Sequence, residues 1–366
     1  MASEDNTCDK TDPERKLDIA MVGDILLHSR VEDAARDNGE NYDFGFIFDE
    51  LRDDISGKDL AIANQEVILG GEELKVTGYP SFNAPYEIGD ALADAGFDVI
   101  CHATNHALDR GKKGIENSLS YWKHSHPEIL IVGINGTERQ YDKVDIVELD
   151  GIKIAILNYT YGTNGIPMPA DMPHAVDVLD GEKVVSDLKY AEEMADFTIV
   201  CTHWGTEYSK ETDGFQKKWC SILRSNGADL VLGTHPHVIE PVCMYEDEVK
   251  GITNNHGDGD MLVYYSLGNF VNWTSGRGKG IADRVLGGMA EITIGEDDNG
   301  EIAVLDYSVK PLVCHLKKGS KNISVYPLSE YTDAMGKENE IRIQDPGFSK
   351  EYCVNTCNEV WGILWK

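Results

Sequence analysis

Short apolar runs alternate with stretches of helical periodicity along most of this chain, and that alternation predicts an α/β domain. Strands are expected over residues 17–22, 59–63, 97–102, 152–158, 197–202, 230–232 and 261–266. Between them, Ile115, Leu119 and Trp122 recur at helical spacing after Gly111. Val184, Leu188 and Ala191 do so before Phe197, and Phe215, Trp219, Ile222 and Leu223 before Leu230. Beyond residue 285 the texture changes. Residues 285–294 and 302–313 read as two strands around Asp298-Asn299-Gly300, an Asn-Gly hairpin signal that predicts an antiparallel addition. Residues 1–16 read as a disordered leader, 17–314 as the main domain, and 315–366 as a motif-free extension packed on it.

Composition narrows the reading. A chain of 366 residues with 41% apolar content supports one large or two ordinary domains, and no stretch approaches the ~20 apolar residues of a membrane span. With 64 acidic and 33 basic residues the formal charge is -31. Such a surface repels nucleic acid and anionic lipid and attracts divalent cations. A polyanionic substrate would therefore need a local metal or basic patch. The polar start lacks an apolar segment, which fits a cytoplasmic protein or one whose signal was removed. Of eight cysteines, Cys101 and Cys201 lie in apolar runs and are expected as buried thiols; the even count permits disulfides without arguing for them.

The candidate chemistry sits where the expected strands end. Asp24, Glu66, Asn105, His203, His235, His237 and Asn269 each fall at or just beyond such an end. Ligands of open α/β sheets bind outside the carboxyl ends of strands, so these donors are expected on one rim. Carboxylate, amide oxygen and imidazole suit one or two divalent ions such as Mn, Fe or Zn. A carboxylate bridging two ions ~3.5–4 Å apart suits phosphoryl chemistry. In His235-Pro236-His237, an extended segment would aim both imidazoles the same way.

The runs Met21-Val22-Gly23-Asp24, Asn64-Gln65-Glu66, Phe82-Asn83-Ala84-Pro85 and Ala95-Gly96-Phe97-Asp98 resemble the bacterial capsule-synthesis family typified by CapA and PgsA. So do the run from Thr104-Asn105-His106 to Gly111, His203-Trp204-Gly205-Thr206-Glu207-Tyr208, Gly233-Thr234-His235-Pro236-His237-Val238 and Ser266-Leu267-Gly268-Asn269-Phe270. The resemblance covers roughly residues 17 to 275. It implies poly-γ-glutamate capsule production at the outer face of the cell envelope, and a four-layer α/β/β/α sandwich similar to calcineurin-like metallophosphoesterases. It further implies Asp24 as first aspartate, Glu66 as the bridge, Asn105 as amide ligand, His203 and His235 on one ion and His237 on the other. His106 would protonate the leaving group while metal-activated water attacks phosphorus. Asp109 itself reads as supporting a histidine or capping the helix after Gly111. Two positions depart from the phosphoesterase pattern. Leu26 stands where a histidine is expected, with His28 nearby but out of register, and Glu66 replaces an aspartate. Both weaken one metal position and leave a mononuclear site open.

Plainer readings stand beside these. Asp24 could cap the next helix, Asn105 could serve a turn, and His106 could be a packed histidine. Glu207, Tyr208, Asn269 and Arg277 are candidates for lining the substrate site, with Asn269 also suited to bonding the ligand loops. Ser275-Gly276-Arg277-Gly278-Lys279-Gly280 lacks the P-loop spacing and reads as a loop whose bases contact an anion. The remaining histidines, His28 among them, read as structural or surface residues. The expected partners are a capsule polymer or phosphate ester and a membrane synthase, without nucleic acid. The rival functions are a non-catalytic scaffold or polymer-binding protein on the same fold, and a general phosphodiesterase.

Overall fold

Period-two alternation along the central strands divides their side chains between two cores. Ile199, Cys201, Leu230, Leu232, Leu262 and Tyr264 join one hydrophobic cluster, while their immediate neighbours Val200, Val231 and Val263 join another. Successive strand side chains point to opposite faces, so this sheet is covered on both sides. The computed structural model describes residues 15–37, 41–245, 260–317 and 322–366.

In chain order the strands of the two large sheets are β1 Lys16–Ile25, β2 Leu60–Gln65, β3 Val99–Cys101, β4 Leu130–Val132 and β5 Asp145–Leu149. Next come β6 Ile152–Thr160, β7 Phe197–His203, β8 Leu230–Thr234, β9 Val242–Tyr245 and β10 Met261–Tyr264. The last four are β11 Asn269–Val271, β12 Leu286–Glu296, β13 Ile302–Leu316 and β14 Ile323–Pro327. The first sheet has eight strands in the order β14-β13-β12-β1-β2-β3-β4, with β11 beside β1; the second runs β9-β10-β8-β7-β6-β5. The pairs β1–β2, β2–β3, β6–β7, β7–β8 and β8–β10 are parallel.

The two sheets face one another across the larger cluster, where Met21 Sδ of β1 lies 3.8 Å from Cys201 Sγ of β7. Helices α1 Arg52–Ser56 and α2 Glu87–Ala95 bring Ile55, Ile88 and Leu92 against the first sheet. Helices α3 Gly181–Met194 and α4 Gly214–Ser225 bring Val184, Leu188, Trp219 and Leu223 against the second. The result is the α/β/β/α sandwich. Asp213 closes the start of α4 with a capping box, its side chain accepting from Phe215 N and Gln216 N.

The hairpin signal marks β12 and β13, which pair antiparallel around a turn with Gly300 at φ +84°. Asp297 Oδ1 accepts from Asn299 N and Glu301 N there. Residues beyond 315 continue the first sheet through β14, and a helix at Lys350–Val360 leads to the buried Trp361, whose Nε1 donates to Glu240 O at 3.0 Å. The strands β4, β5, β9 and β11 are too short or too evenly buried for alternation to show; β5 is buried only in part along its length. Of the expected leader, residues 1–14 lie outside the described residues, and Lys16 already pairs with Gly295. The seven described cysteines are free thiols, and Cys101 and Cys201 are buried. Among the described residues no helix is long and apolar enough to cross a membrane.

Candidate metal centre and catalytic cleft

The donors do converge, but from two sheets: Asp24, Glu66, Asn105 and Asn269 come from the first, His203, His235 and His237 from the second. Asp24 lies within β1, where the pairing with β2 slips between Val22 and Asp24. Gly23 permits the slip, since a Cβ there would lie 2.0 Å from the carbonyl oxygen of Gly268. Asp24 N donates to that same oxygen at 2.9 Å. Its side chain does not cap a helix. Oδ1 accepts from Asn64 Nδ2 at 2.7 Å, and Oδ2 accepts from His235 N at 3.2 Å and lies 3.1 Å from His237 Nδ1.

His235 and His237 are not on an extended segment. Their φ values are +98° and +59°, left-handed for both, and Tyr208 follows at +65°. For side chains this large such backbone costs on the order of 1–3 kcal/mol per residue, strain that concentrates at functional sites. The two rings reach the centre through turns, with centroids 5.8 Å apart. Asn269 does not line the cleft. It is buried, with Nδ2 donating to His237 O and Arg284 O and Oδ1 lying 3.1 Å from His237 Nδ1, so it fastens the ligand loop.

Ligand atoms group in two ways, Asp24 with Glu66 and His237, and Glu207 with His235 and His237, each set within 4.8 Å. The rings of His203 and His235, expected on one ion, have centroids 4.7 Å apart. His203 lies beside both carboxylates, Nδ1 3.8 Å from Asp24 Oδ1 and Nε2 3.9 Å from Glu66 Oε1, with Thr234 Oγ1 at 3.0 Å and Asn105 Oδ1 at 3.1 Å closer still. Glu207, expected against substrate, supplies a carboxylate to the second set and also lines the cleft.

The donors present fit a cation. Both carboxylate oxygens of Glu66 and Nδ1 of His235 are buried without hydrogen-bond partners. Orphaned polar atoms of this kind are costly unless something completes them. Burial pushes the Glu66 carboxyl well above its ordinary range. Burial alone would lower His237, yet Glu66 and Asp24 override it and hold this imidazole up at about 9. The His237 ring lies between these two acids, Nδ1 3.1 Å from Asp24 Oδ2 and Nε2 3.6 Å from Glu66 Oε1, where a metal would supply positive charge. Burial and the neighbouring imidazoles push His203 and His235 down, leaving them neutral and able to ligate.

A cleft of about 610 Å³ opens beside these groups, lined by His106, Asn105, Phe82, Glu207, Tyr208 and His237 among others. His106 Nδ1 lies 2.7 Å from Asp109 Oδ2, which also accepts from Phe82 N at 2.7 Å. A carboxylate only accepts, so Nδ1 carries the proton and Nε2 is left for the cleft. The Phe82 ring meets the imidazole edge-on at 4.6 Å. Leu26, at the position of the missing histidine, lines the cleft too, as does His28, which was read as structural or surface. Burial, then His237 and His106, pull His28 down to about 4.

Arg277, expected at the substrate site, lines a neighbouring cavity instead, because its loop turns away beyond Ser275. The guanidinium that does face the cleft belongs to Arg284, which the sequence reading missed. Its Cζ lies 3.5 Å from the Tyr208 ring centroid, a cation–π contact. A lone arginine before an apolar strand carries no motif that would have singled it out.

Comparison with known proteins adds the ancestry. The family model described as "Bacterial capsule synthesis protein PGA_cap" matches residues 18–274. The chain is 27% identical over 285 residues to the PGA biosynthesis protein CapA of Bacillus subtilis (strain 168), covering 73% of this chain and 67% of that one. It is 28% identical over 272 residues to the capsule biosynthesis protein CapA of Bacillus anthracis, covering 71% and 61%. Among solved structures, the NAD nucleotidase (NadN) of Haemophilus influenzae superposes with TM-score 0.50 at 12% identity over 95% of this chain and 67% of that one, a likeness of fold, and the fold is the metallophosphoesterase sandwich.

Proposed function

Because the chain belongs to the bacterial capsule synthesis protein family, we propose that it serves poly-γ-glutamate capsule production at the outer face of the cell envelope, through a metal-dependent phosphoesterase-type hydrolase site. The observation carrying this reading is the convergence of the buried Asp24, Glu66, His235 and His237 with the exposed Glu207, in which Glu66 and His235 keep unpaired polar atoms. These five, with Asn105 and His203 beside them, would hold one or two ions of Mn, Fe or Zn. When bound, such ions supply Lewis acidity toward a phosphoryl oxygen and ease ionisation of water.

The chain's own residues supply the rest. Asp109 fixes the His106 ring through Nδ1, so Nε2 is turned to the cleft and can pass a proton to the leaving oxygen. Phe82 packs on that ring and keeps water from its face. Arg284, flat against Tyr208, offers its donors to an anionic oxygen of the substrate. The substrate is a phosphate ester or polymer intermediate, and a membrane synthase is the expected partner. Leu26, apolar in a ligand position, favours one competing role, that of a metal-poor scaffold or polymer-binding protein.

Metal analysis and a chromogenic phosphodiester assay separate the two. Purified under metal-replete conditions, the protein should carry transition metal and turn the diester over. The double variant His235→Ala, His237→Ala should lose both. A metal-free, inactive wild type would decide for the scaffold.

A further inference from the structure

The cleft has a neighbour. A second cavity of about 540 Å³ is lined by Arg30, Arg277, Trp273 and Gln344, and it shares Ser275 with the cleft as a common wall. Arg30 holds its guanidinium over the Trp273 ring, Cζ to centroid 5.2 Å, much as Arg284 lies over Tyr208 in the cleft. An arginine stacked this way presents its N–H edge outward, the geometry that accepts a carboxylate or phosphate in two parallel bonds. Asp33 and Glu340 also line the second cavity, but among the described residues neither forms an ion pair with Arg30 or Arg277. In a chain of net charge -31, three arginines that have no carboxylate partner among the described residues lie around one shared wall.

Gln344 fixes that wall. Its Nε2 donates to the carbonyl oxygens of Thr274 and Gly276, both at 2.6 Å, and Gly278 N donates to Gln344 O at 3.0 Å. The loop carrying Ser275 and Arg277 is thereby tied to the helix at Ile341–Gln344. Residues 277, 284 and 344 all lie beyond the segment matched to the family, residues 18–274.

We propose that this second cavity is an oxyanion station that takes the next charged group of an elongated substrate whose reacting group sits in the cleft at Arg284. The substrate class is an oligomer bearing repeated carboxylates or phosphates. The placement of the reacting group rests on the hydrolase reading above; the anion station itself does not.

Equilibrium titration of the full-length protein tests it with two probes, hexaglutamate for carboxylate and a four-unit glycerol-phosphate oligomer for phosphate. Arg30→Gln combined with Arg277→Gln should weaken one probe at least tenfold and flatten the dependence of its affinity on salt. Lys279→Gln removes the same charge from the same loop outside both cavities and should stay within twofold of wild type. The probe that responds identifies the oxyanion. Wild type binding neither probe, the double variant binding both as wild type does, or Lys279→Gln weakening binding as much as Arg277→Gln alone, would each overturn the station. Loss of probe binding in the double variant of a protein that hydrolyses no diester would remove the hydrolase reading and leave the station standing.

Discussion

Two buried polar clusters lie in this molecule, and they are built in opposite ways. Around Tyr159 the acids, amides and ammonium are paired with one another. Tyr159 OH donates to Asp187 Oδ2 at 2.6 Å, Lys183 Nζ lies 2.5 Å from the same oxygen, and Asn135 Nδ2 donates to Asp177 Oδ1 at 3.0 Å. Nearby, Asn158 accepts from Ala103 N and donates to Cys201 O, joining the two sheets. Around Asp24 the groups outnumber their partners, and Glu66 and His235 are left with orphaned atoms. Both clusters hold acids, amides and a cationic group out of water. A satisfied network contributes specificity and rigidity, whereas an unsatisfied one persists when a ligand completes it. The comparison therefore assigns the first cluster to architecture and the second to chemistry.

Substitutions should separate the two. The largest effect is expected on turnover from His106→Ala, a fall of ~10²–10⁴-fold in phosphodiester hydrolysis with metal content retained. Rates equal to wild type would remove the proton-donor role and blur the contrast. Next comes Lys183→Met in the satisfied cluster, which removes the cation from the Asp187 carboxylate and leaves it the Tyr159 hydroxyl. Removing one partner of a buried pair costs ~3–5 kcal/mol, read as a lower urea midpoint, while metal per folded molecule stays at the wild-type level. Loss of metal in this variant would break the division.

A smaller effect concerns pH. Burial holds Asp177 up at about 7 against an ordinary 3.8. Below the unfolded value both states keep the proton. As pH rises from there toward 7 the unfolded chain releases it while the folded chain retains it, so stability falls, by at most ~1.4 kcal/mol per unit, and the penalty then levels off. Asp177→Asn should abolish that slope in denaturant titrations from pH 4 to 7; an unchanged slope would place its origin elsewhere. The smallest change is expected from Glu207→Gln. This carboxylate is the exposed member of its ligand set, and its loss should lower metal affinity by about tenfold, the low end of what a residue supporting a metal site contributes. A complete loss of metal would shift the centre from Asp24 and Glu66 toward Glu207.

The alternation of apolar runs and helical spacing determined the α/β class, the central strands and the hairpin at Gly300, because periods of two and 3.6 are local properties of a chain. Chain position also marked the strand-end donors from Asp24 to His237. What the tertiary structure alone decided is which donors share a centre. The slip at Gly23, the left-handed turns at His235 and His237, and the facing of two sheets set His237 between Asp24 and Glu66 and held His203 against Thr234 and Asn105. They also placed Arg284, rather than Arg277, in the cleft. Such choices depend on contacts between residues as many as 213 positions apart, as for His237 and Asp24, and no short stretch of sequence carries that geometry.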